Sequence, residues 1–119
     1  MAKNYKKEIV QRITKNLLDI QLLNLINAQP SIWGYRIKKE IEADFNIKLL
    51  HGALYPMLNS LEQRGFIAGQ TQKKNGRIRK GYILTKEGEK YLQSYYAVLR
   101  EQLEASENWR ASKKLARKQ

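Results

Sequence analysis

Cysteine is absent, histidine occurs once and acidic residues are few in this 119-residue chain. Without cysteine, neither a disulfide framework nor a cysteine-based zinc site can form, and the composition suits a reducing compartment. One histidine, His51, is too little for metal coordination. No nucleophile, base and orienting group stand together in a way that suggests catalysis. The expectation is therefore a protein with no metal, no cofactor and no enzymatic activity. Long apolar runs are missing as well: none approaches the roughly 20 residues that span a bilayer. The opening Met1-Ala2-Lys3-Asn4-Tyr5-Lys6-Lys7 has no apolar signal-peptide core behind it. A soluble, cytoplasmic protein with no membrane partner is expected.

The shortage of acid gives a net charge of +12, from 23 Lys and Arg against 11 Asp and Glu. Such an excess points to a polyanionic partner, and its placement is informative. Lys73, Lys74, Arg77, Arg79, Lys80 and Lys86 fall within residues 65–86, which contain no acid. Arg110, Lys113, Lys114, Arg117 and Lys118 fall within residues 110–119, again without acid. Residues 87–109, with five Glu and two basic groups, are net acidic. A merely solvated surface has no need of this clustering.

Hydrophobic residues make up 42% of the chain, enough for one modest core, and a small elongated chain of this kind often needs a partner to finish burying its apolar surface. From about Tyr5 to Asn27, apolar residues recur at 10, 13, 17 and again at 18, 22, 25, which predicts a first long helix buried on more than one side. Pro30 ends it. Ser31 is an N-cap candidate for a second helix with Ile37, Ile41 and Phe45 on its buried stripe and Trp33 or Gly34 helping; Asn46 closes it. The third helix starts near His51. Leu54, Leu58 and Leu61 form its apolar face, Met57 widens the stripe, and Tyr55, Asn59, Glu62 and Gln63 occupy the polar face before Gly65 terminates it. Pro56 falls in the first turn or two.

After Gly65 the period changes from helical to alternating. Phe66–Gln72 and Ile78–Leu84 read as strands joined through Lys73-Lys74-Asn75-Gly76-Arg77, and Asn-Gly is a strong type I′ hairpin signal. Thr85 caps a last helix, with Glu87 in its first turn. Tyr91, Leu92, Tyr95, Tyr96, Leu99 and Leu103 line that helix with an apolar face too broad for its own small domain to cover, which suits a dimer interface.

Helix, helix, helix, basic hairpin, long helix is the order of a winged helix-turn-helix. The fold class expected is mainly α with a small β-hairpin, a winged helix-turn-helix plus a long C-terminal dimerisation helix. Residues 1–84 form the DNA-binding domain, 85–109 the dimerisation helix and 110–119 a basic tail, frayed or disordered. In this arrangement the third helix enters the major groove of double-stranded DNA and the wing follows the backbone or minor groove. Asn59 and Gln63 would face base edges, with His51, Gly52, Ala53 and Tyr55 at the head of the helix. Lys73, Lys74, Arg77, Arg79 and Lys80 would meet phosphates.

Three segments carry a resemblance. They are Trp33-Gly34-Tyr35-Arg36-Ile37, Leu54-Tyr55-Pro56-Met57-Leu58 with Leu61-Glu62 and Gly65, and Gly76-Arg77-Ile78-Arg79-Lys80 with Tyr82-Ile83-Leu84-Thr85 and Gly88. In order and spacing over about residues 20–90 the chain resembles the PadR family of transcriptional regulators. The resemblance implies a homodimeric repressor in which the last helix packs on the partner's first and last helices. It adds Tyr35 to the DNA-contacting set, and it admits a small hydrophobic effector between the subunits. The chain departs from the family pattern at Leu50 and Ala53, which stand where the family usually has Ser and Thr, at Gly81 in place of an aromatic, and at Leu99 in place of a tryptophan. Two rival functions follow from the residues themselves. One is a non-specific architectural chromatin protein; the other is a ligand-carrying or protein-interaction module whose wing charge is incidental.

Overall fold

The computed structural model describes the backbone of residues 4–118 and the side chains of residues 4–113. Five helices and three strands follow in the order α1 (Lys6–Asn16), α2 (Leu18–Ala28), β1 (Ile32–Trp33), α3 (Gly34–Phe45), α4 (His51–Gln63), β2 (Ile67–Lys74), β3 (Arg77–Leu84) and α5 (Lys86–Lys118).

The long first helix expected from the sequence is two helices. The break falls at Leu17 (φ −111°, ψ 32°), at the point where the stripe 10/13/17 gives way to the stripe 18/22/25. Each stripe belongs to its own helix. The break frees backbone amides at the head of α2, and the Asp19 carboxylate accepts one of them, the Ile20 N–H, at 2.9 Å. In α2, Leu22, Leu23 and Ile26 are fully buried. They form the floor of the core, on which Ile37 and Ile41 of α3 and Leu54, Leu58 and Leu61 of α4 close.

Ser31 is not a helix cap. It has a positive φ of 69°, and its N–H donates to the Tyr82 carbonyl at 2.9 Å. Ile32 and Trp33 then pair antiparallel with Tyr82 and Gly81, so a third strand joins the expected hairpin in the order β1-β3-β2. Gly81 permits this: a Cβ there would sit 2.8 Å from the Ser31 carbonyl oxygen. The hairpin itself is as expected. Lys74 pairs with Arg77, and Asn75 (φ 53°) with Gly76 (φ 75°) makes the two-residue left-handed turn of type I′.

Thr85 ties the last helix to the domain. Its hydroxyl accepts the Gly88 N–H at 3.0 Å and donates to the Gly65 carbonyl at 2.6 Å, joining the end of α4 to the start of α5. The boundary expected between residues 109 and 110 has no counterpart in the backbone, because α5 continues unbroken to Lys118. Arg, Ala, Lys and Leu all favour helix, and no Gly or Pro interrupts them. Lys114, Arg117 and Lys118 of the expected basic tail have side chains outside the described residues, as do Met1–Lys3 and Gln119 altogether.

Leu58 lies at the centre of the helical core with no solvent exposure. Leu58→Ala should cost ~2–5 kcal/mol of stability by removing buried methyl groups and leaving a cavity. Urea unfolding monitored by circular dichroism measures it, and a loss well under that range would mean the core collapses around the gap.

Candidate nucleic-acid interface

The orientation of α4 follows from its own sequence. Leu54, Leu58 and Leu61 point into the core, so at 100° per residue the opposite face carries Gly52, Pro56, Asn59 and Gln63, with Ser60 beside them. All five are exposed and none is charged. Pro56 and Ser60 belong to this outer face, although the residue pattern placed Tyr55, Asn59, Glu62 and Gln63 there and passed over these two. Pro56 has no N–H, so the Gly52 carbonyl lacks its ladder partner and stays open at the surface.

Two contacts set the approach to α4. Asn46 terminates α3 in the left-handed conformation, and the Leu49 N–H donates to the Glu42 carboxylate at 2.8 Å. Leu50 follows as the residue preceding α4 and makes no side-chain cap. His51 is exposed and stacks on Tyr55, with ring centroids 5.8 Å apart and planes 3° from parallel. Ala53 is exposed in the first turn of α4. Tyr55 lies on the wing flank, partly exposed, against Gly34. Tyr35, at the head of α3, is exposed beneath the Lys39 ammonium, 4.7 Å from its centroid.

Glu62 does not belong with the outward polar face. It turns to the wing, where one carboxylate oxygen accepts the Gly69 N–H at 3.0 Å and the other holds the Lys80 ammonium at 2.6 Å. A Cβ on residue 69 would meet the ends of both the Lys80 and Glu62 side chains, so a larger residue there would displace the pair. The hydrogen bond to Glu62 raises the Lys80 ammonium above the ordinary lysine range, so it stays charged. Next to it, burial raises the Tyr82 phenol above its usual value. Lys80 therefore differs from its neighbours in having a carboxylate of its own.

The remaining wing cations have none. Among the described residues no carboxylate lies within ion-pair distance of Lys73, Lys74, Arg77 or Arg79. Lys73, Lys74 and Arg77 are exposed at the turn, and Arg79 is half-buried with its guanidinium carbon 4.1 Å from the Trp33 ring centroid. The wing, the head of α3 and Tyr55 enclose an open groove of about 940 Å³, with Arg36, Lys39, Arg77 and Arg79 on its walls. Trp33 is the functional candidate that residue pattern passed over. An aromatic next to Gly-Tyr reads as core, and its cationic partner lies far along the chain.

The expected interface residues divide along α5. Tyr91 stacks on Phe66 at 4.2 Å with Arg64 above both rings, and meets Tyr95 edge-on at 5.9 Å. Burial, with the Asp19 carboxylate nearby, raises the Tyr95 phenol. Leu92 is part of the domain's own core, and the Tyr96 hydroxyl accepts the Asn24 side-chain amide at 2.6 Å. Leu92 is thus buried within its own chain, Tyr91 and Tyr95 are half-buried, and Tyr96 stays exposed. Leu99 is half-buried, whereas Leu103 is 63% exposed. No described helix is long and apolar enough to cross a membrane, and no described cluster of His, Asp or Glu could hold a metal ion.

The family model described as the transcriptional regulator PadR-like family matches residues 22–94. Among solved structures, the chain is similar to a PadR family transcriptional regulator from Eggerthella lenta. Identity is 24% over 82% of this chain and 85% of that one, with a TM-score of 0.71. A Streptococcus mutans protein shares 30% identity over 74% of this chain and 83% of its own, at a TM-score of 0.61. A PadR family transcription regulator from Clostridium difficile gives 24% identity, coverage of 76% and 95%, and a TM-score of 0.65. No curated protein matches the chain.

The Glu62 clamp makes a local prediction. Glu62→Ala should accelerate hydrogen exchange of the Gly69 amide while leaving the melting temperature almost unchanged, since the ion pair is partly exposed. Amide exchange followed by NMR decides this; an unaltered Gly69 rate would mean the carboxylate does not hold the wing.

Proposed function

The chain belongs to the PadR-like family of transcriptional regulators, and from that premise we propose that it is a homodimeric repressor that reads a two-fold operator. The family is one of DNA-binding regulators rather than enzymes. In the proposed complex α4 enters the major groove. Asn59 and Gln63 carry amides suited to adenine edges, and Gly52, Ala53, Pro56 and Ser60 keep that surface shallow and uncharged. Tyr35, His51 and Tyr55 stand at the rim of the helix head, within reach of the sugar-phosphate chain. Lys73, Lys74, Arg77 and Arg79 take phosphates or a narrow minor groove. Lys80 acts mainly by holding the wing on Glu62.

The observation that carries this reading is an uncharged exposed face on α4 together with a wing on which Lys73, Lys74, Arg77 and Arg79 have no described carboxylate partner. A neutral surface costs little to bring against base edges, and unpaired cations release counterions from the DNA backbone. Arg77→Ala with Arg79→Ala should flatten the log–log salt dependence of DNA affinity by about 0.9 for each phosphate that is no longer neutralised. Asn59→Ala should instead shift sequence preference by ~1–3 kcal/mol with the slope nearly intact. Titrations on operator and random duplex, the operator found by binding-site selection, test both; an unchanged slope in the arginine variant would remove the wing from the interface. Equal affinity for every duplex would favour an architectural role.

Homodimerisation is supported by apolar surface that one chain leaves uncovered. Val98, Leu103 and Trp109 on α5 are 50%, 63% and 73% exposed, and Ile9 and Ile13 on α1 are about half exposed. An effector between the subunits would be lined by the same surfaces. Val98→Glu with Leu103→Glu should yield a folded monomer, because neither side chain belongs to the domain core. Sedimentation with circular dichroism checks this, and a dimer of unchanged affinity would exclude α5 as the interface.

A further inference from the structure

The wing arginine over Trp33 is distinguished from the other basic residues by its surroundings. Arg77 and Lys73 project into solvent, while Arg79 is half-buried over an indole. Lys74 also approaches that ring, its ammonium 5.7 Å from the centroid. Trp33 pairs with Gly81 across β1 and β3, so the indole is fixed to the same strand that carries Arg79, two residues away. The short β1 thus has a role beyond widening the sheet, since it delivers an aromatic face to the base of the wing. Four cations crowd this hairpin without a described acid, and the ring's negative face offsets part of their repulsion.

We infer that Trp33 is a positioning residue for DNA binding, holding Arg79 in a single orientation for a backbone phosphate. The inference rests on the wing reading above and adds to it a residue that touches no DNA. A guanidinium over an aromatic face uses its own face for the contact, and its N–H edges stay free for bidentate phosphate binding. Among the described residues no hydrogen bond occupies those edges, and Glu62, on the neighbouring element, is engaged by Lys80. Arg79 is therefore oriented without being consumed. A free arginine would have to lose its rotamer freedom on meeting DNA, and this one has already lost much of it.

The test is a double-mutant cycle on a short random-sequence duplex at low salt, with Trp33→Leu, Arg79→Ala and the two together. Trp33→Leu should weaken binding about two- to fivefold per wing, the scale of an exposed cation–π contact, and Trp33→Phe should recover most of it. In the Arg79→Ala background Trp33→Leu should have little further effect. NMR of the free protein gives a readout independent of DNA: the Arg79 Nε–H resonance, shifted by the indole ring current, should move toward its unstructured position in Trp33→Leu while the melting temperature holds. If Arg79→Ala weakens binding but Trp33→Leu does not, or weakens it equally in both backgrounds, the positioning role is overturned and the wing reading stands. If Arg79→Ala itself leaves affinity and salt slope unchanged, the wing contact fails and the positioning role fails with it.

Discussion

The buried stripe of Leu54, Leu58 and Leu61 determines what the rest of the molecule can present. These side chains are fully or almost fully buried in the core that α4 shares with α2, α3 and the sheet, and a helix cannot rotate about such a stripe without exposing it. Fixing one face fixes the opposite one. Gly52, Pro56, Asn59 and Gln63 are outward because the leucines are inward, and the surface offered to a partner is a by-product of core packing. The Asn46 turn and the Glu42 contact to Leu49 set the angle at which this helix leaves its neighbour.

Charge is distributed by the same logic. Three acids near the candidate interface are engaged locally: Glu40 with Arg36, Glu42 with Lys38 and the Leu49 amide, and Glu62 with Lys80 and the Gly69 amide. Exposed pairs of this kind contribute little to stability. Their larger consequence is for the field around the wing, because a carboxylate bound to a neighbour on α3 or at the base of the sheet is not available to neutralise the tip. Lys73, Lys74, Arg77 and Arg79 keep their charge unscreened by protein, and the backbone of a nucleic acid is the partner that such a tip fits. Glu62 serves both ends of this arrangement, since it anchors the wing to α4 through a glycine that leaves room for it.

Much of this could be read from local pattern. The leucine stripe, the Asn75-Gly76 turn, the Thr85 cap and the uncompensated charge of residues 73–79 depend on neighbours a few positions away, and all stand in the structure as expected. What pattern did not reveal depends on distant partners. The break at Leu17 has no Gly or Pro to mark it and was visible only as a phase shift between two apolar stripes. A two-residue strand has no periodicity, so Ile32–Trp33 becomes a strand only through its pairing with residues 81 and 82. Glu62 lies between the core and outer faces of α4, and its direction is decided by Lys80 on the wing. Tyr91, Leu92 and Tyr95 formed part of a broad apolar stripe whose first turns close their own domain; the pattern could not say where domain core ends and free surface begins.

That division along α5 bears on how binding and reading are separated. The first turns of the helix, held by Phe66, Leu92 and the Thr85 cap, make it rigid with the domain that carries α4. Farther along, Val98, Leu103 and Trp109 project from the same rod and are exposed among the described residues, and 33 helical residues span about 50 Å at 1.5 Å each. In the proposed dimer, the distance and angle between two copies of α4 would then be set by where these apolar residues meet, far from the DNA. In that proposed complex the three parts would have separable effects: the outer face of α4 on which bases are preferred, the wing on how tightly and with what salt dependence any duplex is held, and α5 on how far apart two half-sites must lie. In that complex a change at Val98 or Leu103 would alter operator spacing without altering half-site sequence, because neither residue is on α4 or the wing.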